Sequence, residues 1–146
     1  MQINVEIKEG LTEPVVTIQC GKKDHFIEQL IAALRIMDRQ LTVSFHGAAT
    51  TLALSEILYI ESVDRKTFIY TEQQIYETDK RLYELENHLK NRSFFRASKA
   101  VIINLKRTKS IRPEIGARLL LTMDNGEKVI VSRQYSSNIK IALGVM

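Results

Sequence analysis

The amino-acid sequence predicts a mostly β fold, a β-rich α+β architecture. Three observations carry this: many short β-branched and aromatic runs, turn residues between them at close intervals, and few segments of helical periodicity. Ile3-Asn4-Val5-Glu6-Ile7 alternates apolar and polar residues, as a half-buried strand does. Pro14-Val15-Val16-Thr17-Ile18 is β-branched and reads as a second strand, with Gly10 and Gly21 as punctuation. Asp24 caps a helix that carries Phe26, Ile27, Leu30, Ile31, Leu34 and Met37 on one face. Residues 1–40 thus form a small β-β-α module ahead of a second domain, 41–146. The apolar helix face is expected to pack on its own two strands, with a dimer or regulatory surface as the alternative.

From Leu41 the texture is β. Strands are expected over 41–45 and 50–54, around a hairpin break at His46-Gly47-Ala48. Ile57-Leu58-Tyr59-Ile60-Glu61 follows, then a polar turn at Asp64-Arg65-Lys66, then strands over 67–71 and 74–78. Asp79 is placed to cap a short helix over 80–90, whose Leu82, Leu85 and Leu89 share a face. Further strands are expected over 100–105, 110–112, 118–122 and 128–131, with Asp124-Asn125-Gly126 as a hairpin turn. A helical turn or two should close the chain from Ser137.

With 146 residues, 45% apolar and 26% charged, the chain has the balance of a folded domain and needs neither disulfide nor metal to build a core. A single cysteine, Cys20, excludes an internal disulfide and a cysteine-rich zinc site. No apolar run approaches the ~20 residues of a membrane span, and the first residues lack the layout of a signal peptide. A soluble cytoplasmic protein is expected. Enzyme readings fail on inventory: the three histidines fall on different elements, and there is no glycine-rich phosphate loop or nucleophile elbow. No cofactor or metal is expected.

Charge is unevenly spread. Residues 1–40 carry five basic and six acidic side chains, 41–96 seven and eight, and 97–146 nine and three, a net +6 in the last third. The window Asn91–Pro113 holds seven lysines and arginines and no acid. Such a stretch suits a polyanion, since each neutralised phosphate releases counterions. The plain alternative is a solvated basic face. The usual DNA-reading devices are missing: no helix-turn-helix spacing, no finger ligands, no basic region running into heptads. A DNA reader of this kind must use strands and loops.

The stretch from 41 to 143 resembles the LytTR family of bacterial DNA-binding domains. The likeness rests on Ile57-Leu58-Tyr59-Ile60-Glu61-Ser62, Asp64-Arg65, Leu82-Tyr83-Glu84-Leu85-Glu86 and the run from Phe94 to Leu105, then Asn125-Gly126-Glu127-Lys128 and Val131-Ser132-Arg133-Gln134-Tyr135. The resemblance implies stacked antiparallel sheets of about ten strands with a short helix. It also implies a transcriptional regulator that reads repeated promoter elements through loops in the major groove and bends the duplex. The chain looks like the short, receiver-less branch of the family. Implied partners are double-stranded promoter DNA, a second copy on DNA and a small membrane regulatory protein.

The resemblance also nominates contacts. Arg133 matches the groove-inserting position, and its fork suits the O6 and N7 acceptors of guanine; otherwise it is a surface arginine covering the C-terminal segment. Lys99 stands where relatives carry Asn or Arg, and can donate to a base or a phosphate. Ser98 replaces a common histidine and offers a hydroxyl to phosphate. Arg65 and Lys66 lie in the turn that matches a third contact region. Arg96 is a candidate phosphate clamp, with an ion pair to Glu61 or Glu86 as the alternative. Lys106 and Arg107 are candidate phosphate contacts or simply solvated, and Asn104 is expected to hold backbone. The competing functions are a basic protein-interaction module and an RNA-binding protein. The latter would expose stacking aromatics, whereas Tyr59, Phe68, Tyr70, Phe94 and Phe95 fall in apolar alternation.

Overall fold

The computed structural model describes residues 1–11 and 14–144. It contains α1 (His25–Asp38), β1 (Gln40–Phe45), β2 (Ala48–Ala53), β3 (Tyr59–Val63), β4 (Lys66–Tyr70), β5 (Ile75–Thr78) and α2 (Leu82–His88). The chain continues through β6 (Phe94–Ser98), β7 (Val101–Asn104), β8 (Thr108–Glu114), β9 (Arg118–Met123), β10 (Lys128–Val131) and α3 (Arg133–Leu143). The expected ten strands are present among the described residues, in a seven-stranded antiparallel sheet ordered β2-β1-β5-β4-β3-β7-β6 and a three-stranded sheet ordered β10-β9-β8.

Alternation along the central strands feeds two cores, one on each face of the large sheet. Ile60, Ile69 and Ile102 face one way and pack with Leu41, Leu52 and the Leu82, Leu85 and Leu89 stripe around α2. Leu58, Ala97 and Ile103 face the other way, against Leu119, Leu121 and Met123 of the small sheet and Ile139 of α3. Each fully buried leucine or isoleucine contributes about 1.5–3 kcal/mol, so the large sheet is fixed from both sides. Turn chemistry sets the register. Phe45 pairs with Ala48 across His46 and Gly47, both at positive φ, as a two-residue hairpin turn requires.

Several expectations need correction. Ile3–Ile7 and Pro14–Ile18 form no strand pairing among the described residues, and all but the half-buried Ile18 stand exposed, so the two expected strands of the N-terminal module are absent there. Two short strands without a third, or a surface beneath them, are marginal in water. α1 does form, with Asp24 Oδ1 accepting from the Ile27 amide at 3.1 Å, but it buries no residue. α2 is capped by Arg81, not Asp79, with no side-chain cap bond. Phe94–Ser98, to which the sequence assigned no strand, pairs with β7 through a register irregularity between Arg96 and Ser98. The C-terminal helix begins at Arg133, four residues before Ser137, because Ser136 and Ile139 turn inward on one face. No helix among the described residues is long and apolar enough to cross a membrane.

Candidate nucleic-acid interface

The β3–β4 turn is as tight as a hairpin allows. Val63 pairs with Lys66, leaving Asp64 and Arg65 as the two turn residues, at φ +50° and +68°. Glycine or asparagine is the usual occupant of such positions. Here an arginine sits at the tip with its side chain in solvent, and Lys66 beside it is exposed too.

The β6–β7 turn is braced from within. Ser98 pairs with Val101, putting Lys99 and Ala100 at the tip with Lys99 exposed. Arg96 Nη1 donates to the carbonyls of Ser98 (3.3 Å) and Lys99 (2.7 Å). Its Nε is buried, with Glu86 Oε1 3.5 Å away, and the side chain is only 15% exposed. Of the two alternatives for Arg96, the ion pair with Glu86 is the one formed. A guanidinium held this way shapes the tip that presents Lys99. Ser98 Oγ accepts from the Ala100 amide at 3.2 Å, so its hydroxyl is also engaged in the turn.

Two backbone bonds bring the third element alongside. The Ser62 amide donates to the Ala100 carbonyl at 2.8 Å, joining the β6–β7 tip to the end of β3 that leads into Asp64. The Ser132 amide donates to the Ala97 carbonyl at 2.8 Å, seating the start of α3 against β6. Arg133 is the first residue of that helix and is exposed, its carbonyl accepting from Ser136 Oγ at 3.1 Å. Arg65, Lys66, Lys99 and Arg133, far apart in sequence, therefore project from one end of the large sheet. Among the described residues none of the four has an ion-pair partner.

Lys106 and Arg107 are not part of this group. They follow β7 at its opposite end, in a 3₁₀ turn over Leu105–Arg107. Arg107 is fully occupied: Nε pairs with Asp124 at 2.8 Å, Nη2 with Glu72 at 2.8 Å, and Nη1 donates to the Ser55 carbonyl at 2.8 Å. It ties the β9–β10 hairpin to the large sheet, at the end away from Arg65, Lys99 and Arg133. Lys106 is exposed but stands at that far end. Asn104 is buried and holds backbone as expected: Nδ2 donates to the Ile57 carbonyl at 2.8 Å, and Oδ1 accepts from Ser93 Oγ at 2.9 Å and the Lys106 amide at 3.1 Å.

Two cations were not singled out from the sequence. Thr67 pairs with Thr78, so Lys80 and Arg81 at the β5–α2 junction come abreast of Arg65 and Lys66. All four line one open cleft, with Glu77 and Asp79 on the same walls. The near-neutral charge of residues 41–96 concealed them, because acids alternate with these cations along the chain, Glu77 and Asp79 among them. Four of the aromatic residues weighed for a stacking platform are engaged within the fold. Tyr59 and Tyr70 stack on each other with ring centroids 4.4 Å apart, Phe94 is buried, and Phe95 packs into the second core.

Known proteins give the same frame. Residues 47–144 match the LytTr DNA-binding domain. The sensory transduction protein LytT of Bacillus anthracis is 28% identical over 144 residues, 99% of this chain but 51% of LytT, so the chain spans about half that relative's length. An uncharacterised HTH-type transcriptional regulator of Staphylococcus aureus is 23% identical over 99% of both chains. In spite of that name, strands separate every pair of helices described in the present chain. The LytTr DNA-binding domain of a Bacillus cereus response regulator superposes with a TM-score of 0.68 at 32% identity, covering 73% of this chain and 97% of that one. Matched over two thirds of its length by the family and over 73% of it by a solved member, the chain belongs to the LytTR family of DNA-binding domains.

Proposed function

We propose that the protein is a sequence-specific, DNA-binding transcriptional regulator. The observation that carries this reading is the gathering of Arg65, Lys66, Lys99 and Arg133, exposed and unpaired, on adjoining turns at one end of a LytTR fold. Convex turns fit the major groove, and an arginine fork there reads guanine through O6 and N7. Arg133 is the principal base contact. Lys99 and the Arg65-Lys66 turn serve neighbouring bases or the phosphates between them, Ser98 and Arg96 hold the Lys99 tip in shape, and Lys106 and Arg107 lie outside the contact face. Successive promoter elements would be read in this way along one side of a bent duplex.

Two copies act together on such repeats. Residues 1–40 supply the contact between them as a separate unit from 41–146. Ten of the seventeen exposed large apolar side chains among the described residues lie in 1–38. An apolar surface of that extent marks an interface. A second copy of the same arm is the occupant, since it brings matching unpaired β-prone segments and a matching exposed helix face under two-fold symmetry.

The test is titration onto duplex from the region upstream of the protein's own gene, with scrambled duplex as control, at several salt concentrations. Arg133→Ala should lose about 1–3 kcal/mol on the specific duplex and little on the scrambled one. Equal binding of both duplexes by the parent protein would defeat the reading and favour a basic face made for a protein.

A further inference from the structure

We propose that the cleft beside the β3–β4 turn seats the phosphodiester backbone that flanks the recognised element, with Lys80 and Arg81 as its phosphate contacts. The inference rests on the DNA-binding reading above and adds a site to it. Four observations lead there. The Thr67–Thr78 pairing places the β5–α2 junction next to the Arg65 turn, so the cleft continues the face that carries Arg65, Lys99 and Arg133. Four cations line it against two carboxylates, Glu77 and Asp79, a local excess of two positive charges. None of the four is paired with an acid among the described residues, whereas Arg92, Arg96 and Arg107 are all used by the fold. The floor between the cations is hydroxyl-bearing, with Ser62, Thr67 and Thr78 as donors suited to phosphate oxygens.

Shape decides which part of DNA belongs there. A protruding turn enters a groove and reaches base edges. A recess cannot reach the groove floor, but it accepts the ridge of backbone that borders the groove. With Arg65 at the lip and Lys80 and Arg81 behind it, one turn serves both purposes: its outer side points to bases and its inner side to the adjoining strand. The contact is electrostatic and therefore indifferent to sequence. It lengthens the bound site on the flank beside β5 and α2.

The full-length double variant Lys80→Gln, Arg81→Gln tests this. Neither side chain has an ion-pair partner among the described residues, and a thermal melt matching the parent's would confirm that folding is intact. Affinity should fall by a similar factor for the specific and the scrambled duplex. The slope of log affinity against log salt should become shallower by about 1.8, at roughly 0.9 for each phosphate no longer neutralised. Trimming the duplex on the flank beside the cleft should weaken the parent but leave the double variant unaffected. An unchanged salt slope with a normal Arg133→Ala effect would overturn the cleft and leave the DNA reading standing. Loss of specificity in the parent itself would count against the reading on which the cleft depends.

Discussion

Arginines of the same type have opposite fates in this fold, and their neighbours decide which. Arg96 and Arg107 sit in the acid-free window yet turn inward, one to the carbonyls of Ser98 and Lys99, the other to Glu72, Asp124 and Ser55. Arg96 finds its carbonyls in its own hairpin and its acid, Glu86, on α2, while Arg107 finds acceptors in turns distant in sequence, so the local absence of acids says nothing of their partners. Arg65 has none, and it occupies a left-handed position, φ +68°, that a side chain disfavours by roughly 1 kcal/mol or more. A residue kept there against conformational preference fits a role at the tip. Arg65→Gly should raise stability by about 0.5–1 kcal/mol in urea unfolding while weakening DNA binding. A fall in both quantities would show that the arginine supports the fold and not the contact.

At the scale of elements, the strands that the sequence placed well are those whose alternation meets a core. β3, β4, β9 and β10 each present apolar residues to a packed face and lie within two residues of their expected bounds. Ile3–Ile7 has the same alternation and forms no strand, because nothing in its own chain covers it: Ile3, Val5 and Ile7 are 77%, 84% and 93% exposed. Periodicity states that a segment has a side to bury, not what buries it. If a second copy does so, light scattering on the full-length protein should give twice the chain mass, and Val5→Asp with Ile7→Asp should return it to the monomer. A monomeric parent at all concentrations would end the arm's role in dimerisation. β6 was missed for the opposite reason: in Phe94-Phe95-Arg96-Ala97-Ser98 the polar guanidinium faces the α2 side, bonded to carbonyls, where alternation leads one to expect an apolar residue.

For the whole molecule, the seam between the two sheets holds two phenols whose protons the fold retains. Tyr59 lies on the second core and stacks on Tyr70, whose hydroxyl donates to Glu61 Oε2 at 3.2 Å. Burial, reinforced by the negative charge of Glu127 on the β9–β10 hairpin, pushes the Tyr59 phenol up to about 12. Burial and Glu61 raise Tyr70 as well. An unfolded chain releases these protons near pH 10. Below that the phenols are neutral in both states and their contribution is complete. Between pH 10 and about 12 the unfolded chain holds fewer protons than the folded one, so stability falls as pH rises. Urea midpoints taken below pH 10 and near pH 12 should show this loss, and Tyr59→Phe should reduce it. An alkaline dependence identical in Tyr59→Phe would place the titrating group elsewhere.

What the sequence determined by itself is local or compositional. It settled the β-rich class, the turns around His46-Gly47-Ala48 and Asp64-Arg65-Lys66 (each one residue shorter in the structure), the Asp24 cap, the leucine stripe of α2 and the family motifs, since each depends on residues close together in the chain. It also singled out Arg65, Lys99 and Arg133. Strand pairing and tertiary contacts were needed to show that these share one end of a sheet with Lys80 and Arg81, that Arg96 braces the Lys99 turn there, and that Arg107 stands at the far end. The order β5-β4-β3-β7-β6 is made by hydrogen bonds between distant segments, and no periodicity along a chain encodes which strand lies beside which.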